Sequence, residues 1–314
     1  MSCFASSNIE LQCKQFKYDN DLAPILPPDS QECLQRGSDS RLEYNDINEA
    51  RNAYKIGMQM TGSKRNHRKY LKGSRYRILF DGYTKEIDVR KYGGMVDLDI
   101  RLDPRCTTKL KIRDLSTEKE LMEEVKGFSE RCNKDSEVRC SSGDAGKMFA
   151  FGYRNKKYGD YKSMEDDRVD IQKYSKTVRK VLDIYFKDEV RQIIEADRKQ
   201  GIIPSEAMGG EDGISAYCLV SRDLVNAAHF DLDTSVGISI FNEKIAGMAT
   251  NWYFVLPNTV LVGGDEERKA ILIKLFDGCT LSWDGREVFH CTAAKDIGEG
   301  NHVYGNYWGG KEYK

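Results

Sequence analysis

Hydrophobic residues in the C-terminal third of the chain recur in short runs whose spacing is typical of β-strands. Gly, Asn and Asp separate these runs, and these residues favour turns. No helical pattern interrupts them. Short strands at this spacing predict an antiparallel sandwich or jelly roll. The predicted strands cover residues 214–228, 235–242, 251–262, 269–283, 286–293 and 302–308.

Two segments that precede the strands have helical periodicity. Thr117 and Glu120 have the spacing of a capping box at the start of the first helix. The second helix is predicted from about Arg168 to Gln200, with Gly201 and Pro204 ending it. Helices followed by strands predict an α+β fold, in which the helices pack on the strand core. The apolar stripes that define the two helices are Leu121, Met122, Val125 and Phe128 in the first, and Ile171, Tyr174, Val178, Val181, Leu182, Tyr185, Ile193 and Ile194 in the second.

This order divides the chain into three predicted regions. Residues 1–45 are polar, contain the proline-rich stretch APILPPDS and predict an irregular N-terminal arm. Residues 46–205 form a helical or mixed region that packs on the core and is a candidate for substrate contacts. Residues 206–314 form the β core.

Composition and charge predict a soluble globular protein. The chain has 314 residues, 32% of them charged and 39% hydrophobic, with a formal net charge of −1. No apolar run is long enough to cross a bilayer, and the first residues lack the features of a signal peptide. We therefore expect an intracellular protein, cytoplasmic or nuclear, with no membrane partner.

The nine cysteines are dispersed, and no two of them form a C-x-x-C pair. A structural zinc site would need paired ligands of that kind. We expect free thiols in a reducing compartment, packed mostly as small apolar groups.

The strand pattern also places a candidate metal site. His229 and Asp231 are two positions apart beside an apolar strand-like run, so their side chains project from the same face of an extended chain. His290 lies on a later predicted strand, which a jelly roll can bring alongside. Two imidazoles and one carboxylate form the facial triad that holds non-heme Fe(II) and leaves coordination positions open. The same triad suits Mn or Zn.

These motifs resemble the Fe(II)- and 2-oxoglutarate-dependent dioxygenase superfamily over residues 213–310. The similar stretches are H-x-D at 229–231, WYFVLPN, AILIKLFDG, and the run WDGR followed by HCT. The resemblance implies a double-stranded β-helix as the catalytic core, with His229, Asp231 and His290 as iron ligands. It also implies that Gly278 and Gly285 lie in turns, and that the enzyme hydroxylates a C–H bond with O₂ and 2-oxoglutarate.

The sequence departs from the superfamily pattern where the co-substrate is anchored. Superfamily members commonly place Arg or Lys about ten residues after the distal histidine, but residues 297–308 contain neither. A buried carboxylate needs a cationic or hydrogen-bonded partner. One alternative is that another strand supplies this partner. The other is that the reductant is ascorbate, as in an algal relative of the TET 5-methylcytosine-modifying enzymes. The chain resembles that relative only in the triad and the fold. The candidate anchors are Lys244, Lys274 and Arg286.

Two basic segments with interleaved tyrosines, residues 63–77 and 152–163, are candidates for contacts with DNA or RNA. The near-neutral net charge and the ordinary role of basic residues on solvated surfaces point the other way. A protein or a small molecule is the alternative substrate.

Two other functional classes stay open. One is a non-catalytic jelly-roll binding module, and the other is a nucleic-acid-binding protein without oxygenase activity. For the aromatic residues of the strands, two roles stay open as well: lining a substrate pocket, or filling the barrel core. These residues are Trp252, Tyr253, Phe289, Tyr304 and Trp308.

Overall fold

The protein is described by a computed structural model. The residues that the structure describes are 13–14, 84–103, 106–132, 145–155, 159–160, 168–205, 208–225, 231, 233–250, 252–262, 269–288, 290–294 and 297–310. Its strands are β1 (Cys13–Lys14), β2 (Thr84–Ile87), β3 (Met95–Asp103), β4 (Cys106–Asp114), β5 (Ala145–Asn155), β6 (Gly159–Asp160), β7 (Tyr217–Val225), β8 (Gly237–Glu243), β9 (Trp252–Leu261), β10 (Lys269–Lys274), β11 (Cys279–Trp283), β12 (Cys291–Ala294) and β13 (Val303–Gly309).

The strands form two facing layers. The first sheet has the order β6–β5–β7–β13–β8–β11–β4–β3, with antiparallel pairing throughout. The second has the order β1–β2–β10–β9–β12, and only its β2–β10 pair is parallel. From β7 onward the chain crosses repeatedly from one sheet to the other, and the two sheets join where Ile100 pairs with Leu261. This is the jelly-roll-like, two-sheet architecture that the strand pattern predicts.

A hydrophobic core fills the space between the sheets. Strand alternation selects its members, because successive side chains project to opposite faces. Ile271 and Ile273 belong to this core, whereas Lys274 projects from the other face of β10. The core residues nearest the candidate metal site are Phe254 on the second sheet and Trp283 on the first, with Tyr307 packed against them.

The helices α1 (Lys119–Arg131), α2 (Arg168–Tyr185) and α3 (Lys187–Lys199) contribute to a second core. One cluster of buried side chains joins them to the outer face of β5, β7, β8 and β13. The members that the helical periodicity predicts are buried here, including Val125, Phe128 and Val178. None of the described helices combines the length and the apolar composition that a membrane crossing requires.

Buried polar side chains tie the helices to the first sheet. Asn306 on β13 accepts a hydrogen bond from the Tyr174 hydroxyl at 2.8 Å, and its amide nitrogen lies 3.0 Å from the Ser129 Oγ and 2.9 Å from the Asn242 Oδ1. Burial raises the pKa of Tyr174 well above its usual value, so the hydroxyl stays protonated and remains a donor. These directional bonds fix how α1 and α2 lie against β8 and β13.

Several element boundaries differ from the prediction. The predicted strand 269–283 is divided into β10 and β11 by a turn at Asp277 and Gly278, where Gly278 has φ +94°. The predicted long helix is also divided, because α2 ends at Tyr185 and α3 begins after Phe186. The capping box is wrong: α1 begins at Lys119, and its N-cap residue makes no side-chain capping hydrogen bond.

The sequence pattern also missed strands in the middle region. Residues 84–155 contain β2, β3, β4 and β5. All five residues of the core strand β11 pair with β4. Alternation is visible in the sequence of both strands, as VDLDI in β3 and KLKI in β4, where buried apolar residues alternate with charged ones. The domain boundary predicted at residue 206 stays a prediction.

We expect the substitution Asn306→Leu to lower the free energy of unfolding by about 2 kcal/mol or more, because it leaves buried hydroxyl and amide groups without their partner. Urea denaturation measures the change. Lys180→Ala is the control, since the Lys180 side chain is 74% exposed and should change stability by less than about 0.5 kcal/mol. A loss no larger for Asn306→Leu than for the control would contradict this account of the network.

Candidate metal centre

Asp231 is positioned by the turn that follows β11. Its backbone N–H donates to the Gly285 carbonyl at 2.8 Å. A Cβ added at Gly285 would lie 2.5 Å from both the Cβ and the Oδ2 of Asp231. Only glycine at this position therefore lets the carboxylate approach as closely as it does. This is the physical reason for glycine in the W-D-G-R segment, which the sequence had placed in a turn.

His290 lies immediately before β12, on the strand face that looks into the inter-sheet core. Its ring stacks on Phe254 with centroids 5.1 Å apart, and Trp283 contacts it edge-on at 5.3 Å. The Nδ1 atom lies 2.9 Å from the Val288 carbonyl oxygen. Since a carbonyl only accepts, Nδ1 carries the proton and Nε2 keeps its lone pair in the neutral ring. The imidazole is therefore held in the tautomer that a metal ligand needs.

The structure brings Asp231 and His290 together. The His290 Nε2 lies 3.4 Å from the Asp231 Oδ2, and the two side chains are 5% and 24% exposed. Two ligands about 2.0–2.2 Å from one metal ion, at right angles, are roughly 3 Å apart. The observed separation fits a shared cation after a small adjustment. A protonated imidazole paired with the carboxylate would have the same separation, so the distance admits a metal without requiring one.

A tyrosine supports the carboxylate side of the site. The Tyr307 hydroxyl donates to the Asp233 Oδ2. Its ring lies against Gly237 and Gly309, where a Cβ would come within 2.4 Å of the ring or hydroxyl. Burial, together with the nearby charges of Asp233 and Asp231, raises the pKa of Tyr307 well above its usual value. The hydroxyl therefore acts as a donor that holds the segment following Asp231.

His229, the remaining residue of the predicted triad, lies outside the described residues. No group of three or more His, Cys, Asp or Glu side chains that could hold a metal occurs within the part of the chain that the structure describes. The assignment of His229, Asp231 and His290 as ligands therefore stays a prediction, with the Asp231–His290 contact as its structural support.

The candidate co-substrate anchors lie in three different places. Arg286 follows Gly285 and forms a fork with Asp284, with its Nε 2.9 Å and its Nη2 2.6 Å from the two carboxylate oxygens. Lys244 is exposed, and its Nζ is 3.4 Å from the Gly300 carbonyl. Lys274 lies over the Tyr253 ring at 4.8 Å, on the face of the second sheet opposite Phe254 and His290. Of the three, the structure brings only Arg286 next to a residue that contacts Asp231.

The aromatic residues beside His290 are not the ones that the sequence had singled out. Phe254, Trp283 and Tyr307 surround it, whereas Tyr304 and Trp308 belong to the cluster under the helices. Phe289 lies outside the described residues. The alternation of side chains along β13 could have identified Tyr307 from the sequence. Tyr307 is an odd number of positions from Tyr304 and Trp308, so it projects to the other face of the strand.

The described cysteines are free and buried, at positions 132, 218, 279 and 291. Cys291 follows His290 directly and so projects to the opposite face of the strand. Burial raises the pKa of its thiol to about 12. These four cysteines behave as packed apolar groups, as the sequence predicts, and not as ligands of the candidate centre.

No family model matches the chain, and no curated protein matches it. Among solved structures, it is similar to NgTET1 in complex with 5mC DNA, at 14% identity and a TM-score of 0.43 over 65% of this chain and 72% of that one. It is similar to a Pseudomonas putida prolyl-4-hydroxylase, at 8% identity and a TM-score of 0.35 over 65% and 92%. A 2OG-Fe(II) oxygenase family oxidoreductase from Burkholderia pseudomallei is 10% identical, with a TM-score of 0.36 over 88% and 100%.

At these identities and TM-scores, the similarities assign neither an activity nor a substrate to the chain.

We expect Gly285→Ala to weaken binding of a divalent metal by about 10-fold or more, because groups that orient a ligand affect metal affinity on that scale. The added methyl group would displace the Asp231 carboxylate. Anaerobic calorimetric titration with Mn(II), which avoids oxidation, measures the affinity. Gly127→Ala on α1 is the matched control, since a Cβ there meets nothing within 4 Å. Equal affinity in both variants would show that Asp231 does not bind the metal.

Proposed function

We propose that this chain is a non-heme Fe(II)-dependent dioxygenase that hydroxylates a C–H bond with O₂ and 2-oxoglutarate. His229, Asp231 and His290 would hold the iron. Bound iron would supply the activation of O₂ and the oxidation of the substrate. Ascorbate in place of 2-oxoglutarate is the alternative reductant.

The observation that supports the proposal most is the Asp231–His290 contact. The segment between β7 and β8 and the residue before β12 bring together one carboxylate and one imidazole, whose Oδ2 and Nε2 atoms face each other. Both atoms are of types that bind metal ions. The imidazole is buried between two aromatic rings, so little freedom remains for it to turn away. Fixed ligands surrounded by apolar groups are what a metal centre needs to retain an ion and exclude water.

The chain's own residues would perform three tasks around the ion. Val288 and Phe254 fix the tautomer and the plane of His290. Gly285 and Tyr307 hold the segment that carries Asp231. The aromatic ring cluster of Phe254, Trp283 and Tyr307 would shield the reacting atoms from bulk water.

The co-substrate carboxylate far from the metal needs a partner. Arg286 is the candidate that the geometry favours, because it adjoins Gly285 and its Nη1 also reaches the Thr234 carbonyl at 3.4 Å. Its guanidinium pairs with Asp284, so a bound dicarboxylate would share or displace that carboxylate. Lys274 is less suited, because it projects from the opposite face of its sheet.

We expect His229→Ala, Asp231→Ala and His290→Ala each to abolish Fe(II) binding without unfolding the protein, because each removes one ligand of the triad. Anaerobic titration with Fe(II) and 2-oxoglutarate tests this: the wild-type protein should develop a weak visible charge-transfer band and the variants should not. His302→Ala is the control, since His302 pairs with Asp223 at 2.8 Å and is not part of the triad. Unchanged iron affinity in a triad variant would overturn the assignment of that residue.

A nucleic acid is the substrate class that the position of one basic segment favours. Residues 152–163 run into the β5–β6 hairpin. One row of paired residues crosses the first sheet from the hairpin base to the end of β11, next to the candidate centre. Its members, in order, are Phe151, Cys218, Trp308, Ile238 and Ser282. Four strand spacings separate the two ends of this row, or about 19 Å.

The hairpin and the turn at 284–288 therefore extend from the same end of the sheet. A polynucleotide whose phosphate backbone bound the hairpin would run past the candidate centre. One of its bases would then have to leave the base stack in order to react. The other basic segment, 63–77, lies outside the described residues, and so does the tip of the hairpin.

We expect the double substitution Lys156→Glu and Lys157→Glu to weaken binding of single-stranded DNA or RNA and to reduce the salt dependence of binding. Each lost phosphate contact lowers the slope of log K against log salt by roughly 0.7. Fluorescence anisotropy at several salt concentrations measures both. The double substitution Lys176→Glu and Lys180→Glu, at two exposed positions of α2, serves as the charge-matched control. If wild-type protein binds neither polymer at low salt, a protein or small-molecule substrate takes precedence.

A further inference from the structure

Trp283 carries a polar group whose environment calls for an explanation. Its side chain is within the inter-sheet core, and the residue is 5% exposed. The indole Nε1 is fully buried and makes no hydrogen bond among the described residues. An unsatisfied buried donor costs about 1–3 kcal/mol, so such groups are rare unless a bound molecule supplies the acceptor.

The neighbours of Trp283 explain why the protein does not satisfy this donor. The rings in contact with it are Phe254 at 4.8 Å, His290 at 5.3 Å and Tyr307 at 5.6 Å. The polar atoms of the last two rings have other neighbours. The His290 Nδ1 contacts the Val288 carbonyl, the His290 Nε2 faces Asp231, and the Tyr307 hydroxyl donates to Asp233. The unsatisfied N–H therefore belongs to a side chain that touches the candidate metal ligand.

The register of the first sheet places the Tyr307 ring beside Trp283. The cross-strand partner of Trp283 on β8 is Gly237, which has no side chain, and the Tyr307 ring occupies the space that a side chain there would need. A larger residue at this position would collide with Tyr307, and the same holds for Gly309. The two glycines thus keep the Tyr307 ring close to Trp283 and form one wall of the region beside His290.

We propose that the Trp283 indole N–H is a hydrogen-bond donor to an oxygen of the 2-oxo acid that chelates the metal. This inference rests on the proposed function. It assigns part of the recognition of the co-substrate to an uncharged donor. Such a donor is relevant because residues 297–308 lack the Arg or Lys that superfamily members commonly use to bind the co-substrate. A carboxylate oxygen is the acceptor that an isolated donor binds best, because hydrogen bonds to charged groups are the stronger ones.

The test compares 2-oxoglutarate binding in the Mn(II)-loaded full-length protein and its variants by anaerobic calorimetry. Trp283→Phe removes the donor and keeps an aromatic ring. We expect the dissociation constant for 2-oxoglutarate to rise about 10- to 100-fold, with the Mn(II) affinity unchanged. Trp308→Phe is the matched control, since Trp308 is buried in the other core, under the helices, and should leave both affinities unchanged.

A second variant removes the effect of lost volume. Incorporation of benzothienylalanine at position 283 replaces the N–H by sulfur and preserves the bicyclic shape. We expect this variant to weaken 2-oxoglutarate binding about 10- to 100-fold. Because the bicyclic shape is preserved, it remains a test of the N–H group if the Phe variant folds poorly.

The outcomes separate this inference from the function on which it rests. Unchanged 2-oxoglutarate affinity in the benzothienylalanine variant overturns it, since a water molecule then satisfies the donor. Equal weakening of Mn(II) and 2-oxoglutarate overturns it too, because Trp283 would then act through the position of His290. Wild-type protein that binds Mn(II) but no 2-oxoglutarate overturns the inference and leaves the metal centre in place. Wild-type protein that binds no metal overturns the proposed function itself.

Discussion

The contact between the Asp231 carboxylate and the His290 imidazole is the interaction on which the proposed chemistry depends. Asp231 lies between β7 and β8, His290 immediately precedes β12, and the carboxylate Oδ2 and the imidazole Nε2 face each other at 3.4 Å. Placing a carboxylate next to a buried lone pair is unfavourable unless a cation or a proton lies between them. His290 is enclosed by Phe254 and Trp283. A metal ion would satisfy both groups together.

The rest of the structure holds these two groups in position. Gly285 allows Asp231 to approach, and Tyr307 anchors the segment that follows it through Asp233. On the outer face of the same sheet, the Asn306 network fixes the helices, so the strands that carry the aromatic rings have one arrangement. A site assembled from separate strands needs such a rigid frame, since shifts of an ångström change ligand geometry.

The environment of the site differs from the usual one for a dicarboxylate co-substrate. The rings next to His290 offer donors that are neutral, and the nearest candidate cation, Arg286, pairs with Asp284. Recognition by hydrogen bonds and one shared guanidinium would suit a ligand whose main attachment is to the metal. The β5–β6 hairpin lies at the same end of the first sheet as the turn that follows β11.

The sequence by itself determined the α+β class and the jelly-roll-like strand core, because periodicity is a property of adjacent residues. The assignment of His229, Asp231 and His290 as one ligand set stays a prediction, supported by the Asp231–His290 contact. Helix periodicity likewise predicted the buried residues Val125 and Val178. Only the tertiary structure decided that β3 and β4 join the core, that Phe254, Trp283 and Tyr307 surround His290, and that Lys274 projects from the opposite face. These features depend on cross-strand register, where a shift of one residue exchanges the two faces of a strand, and no local pattern specifies that register.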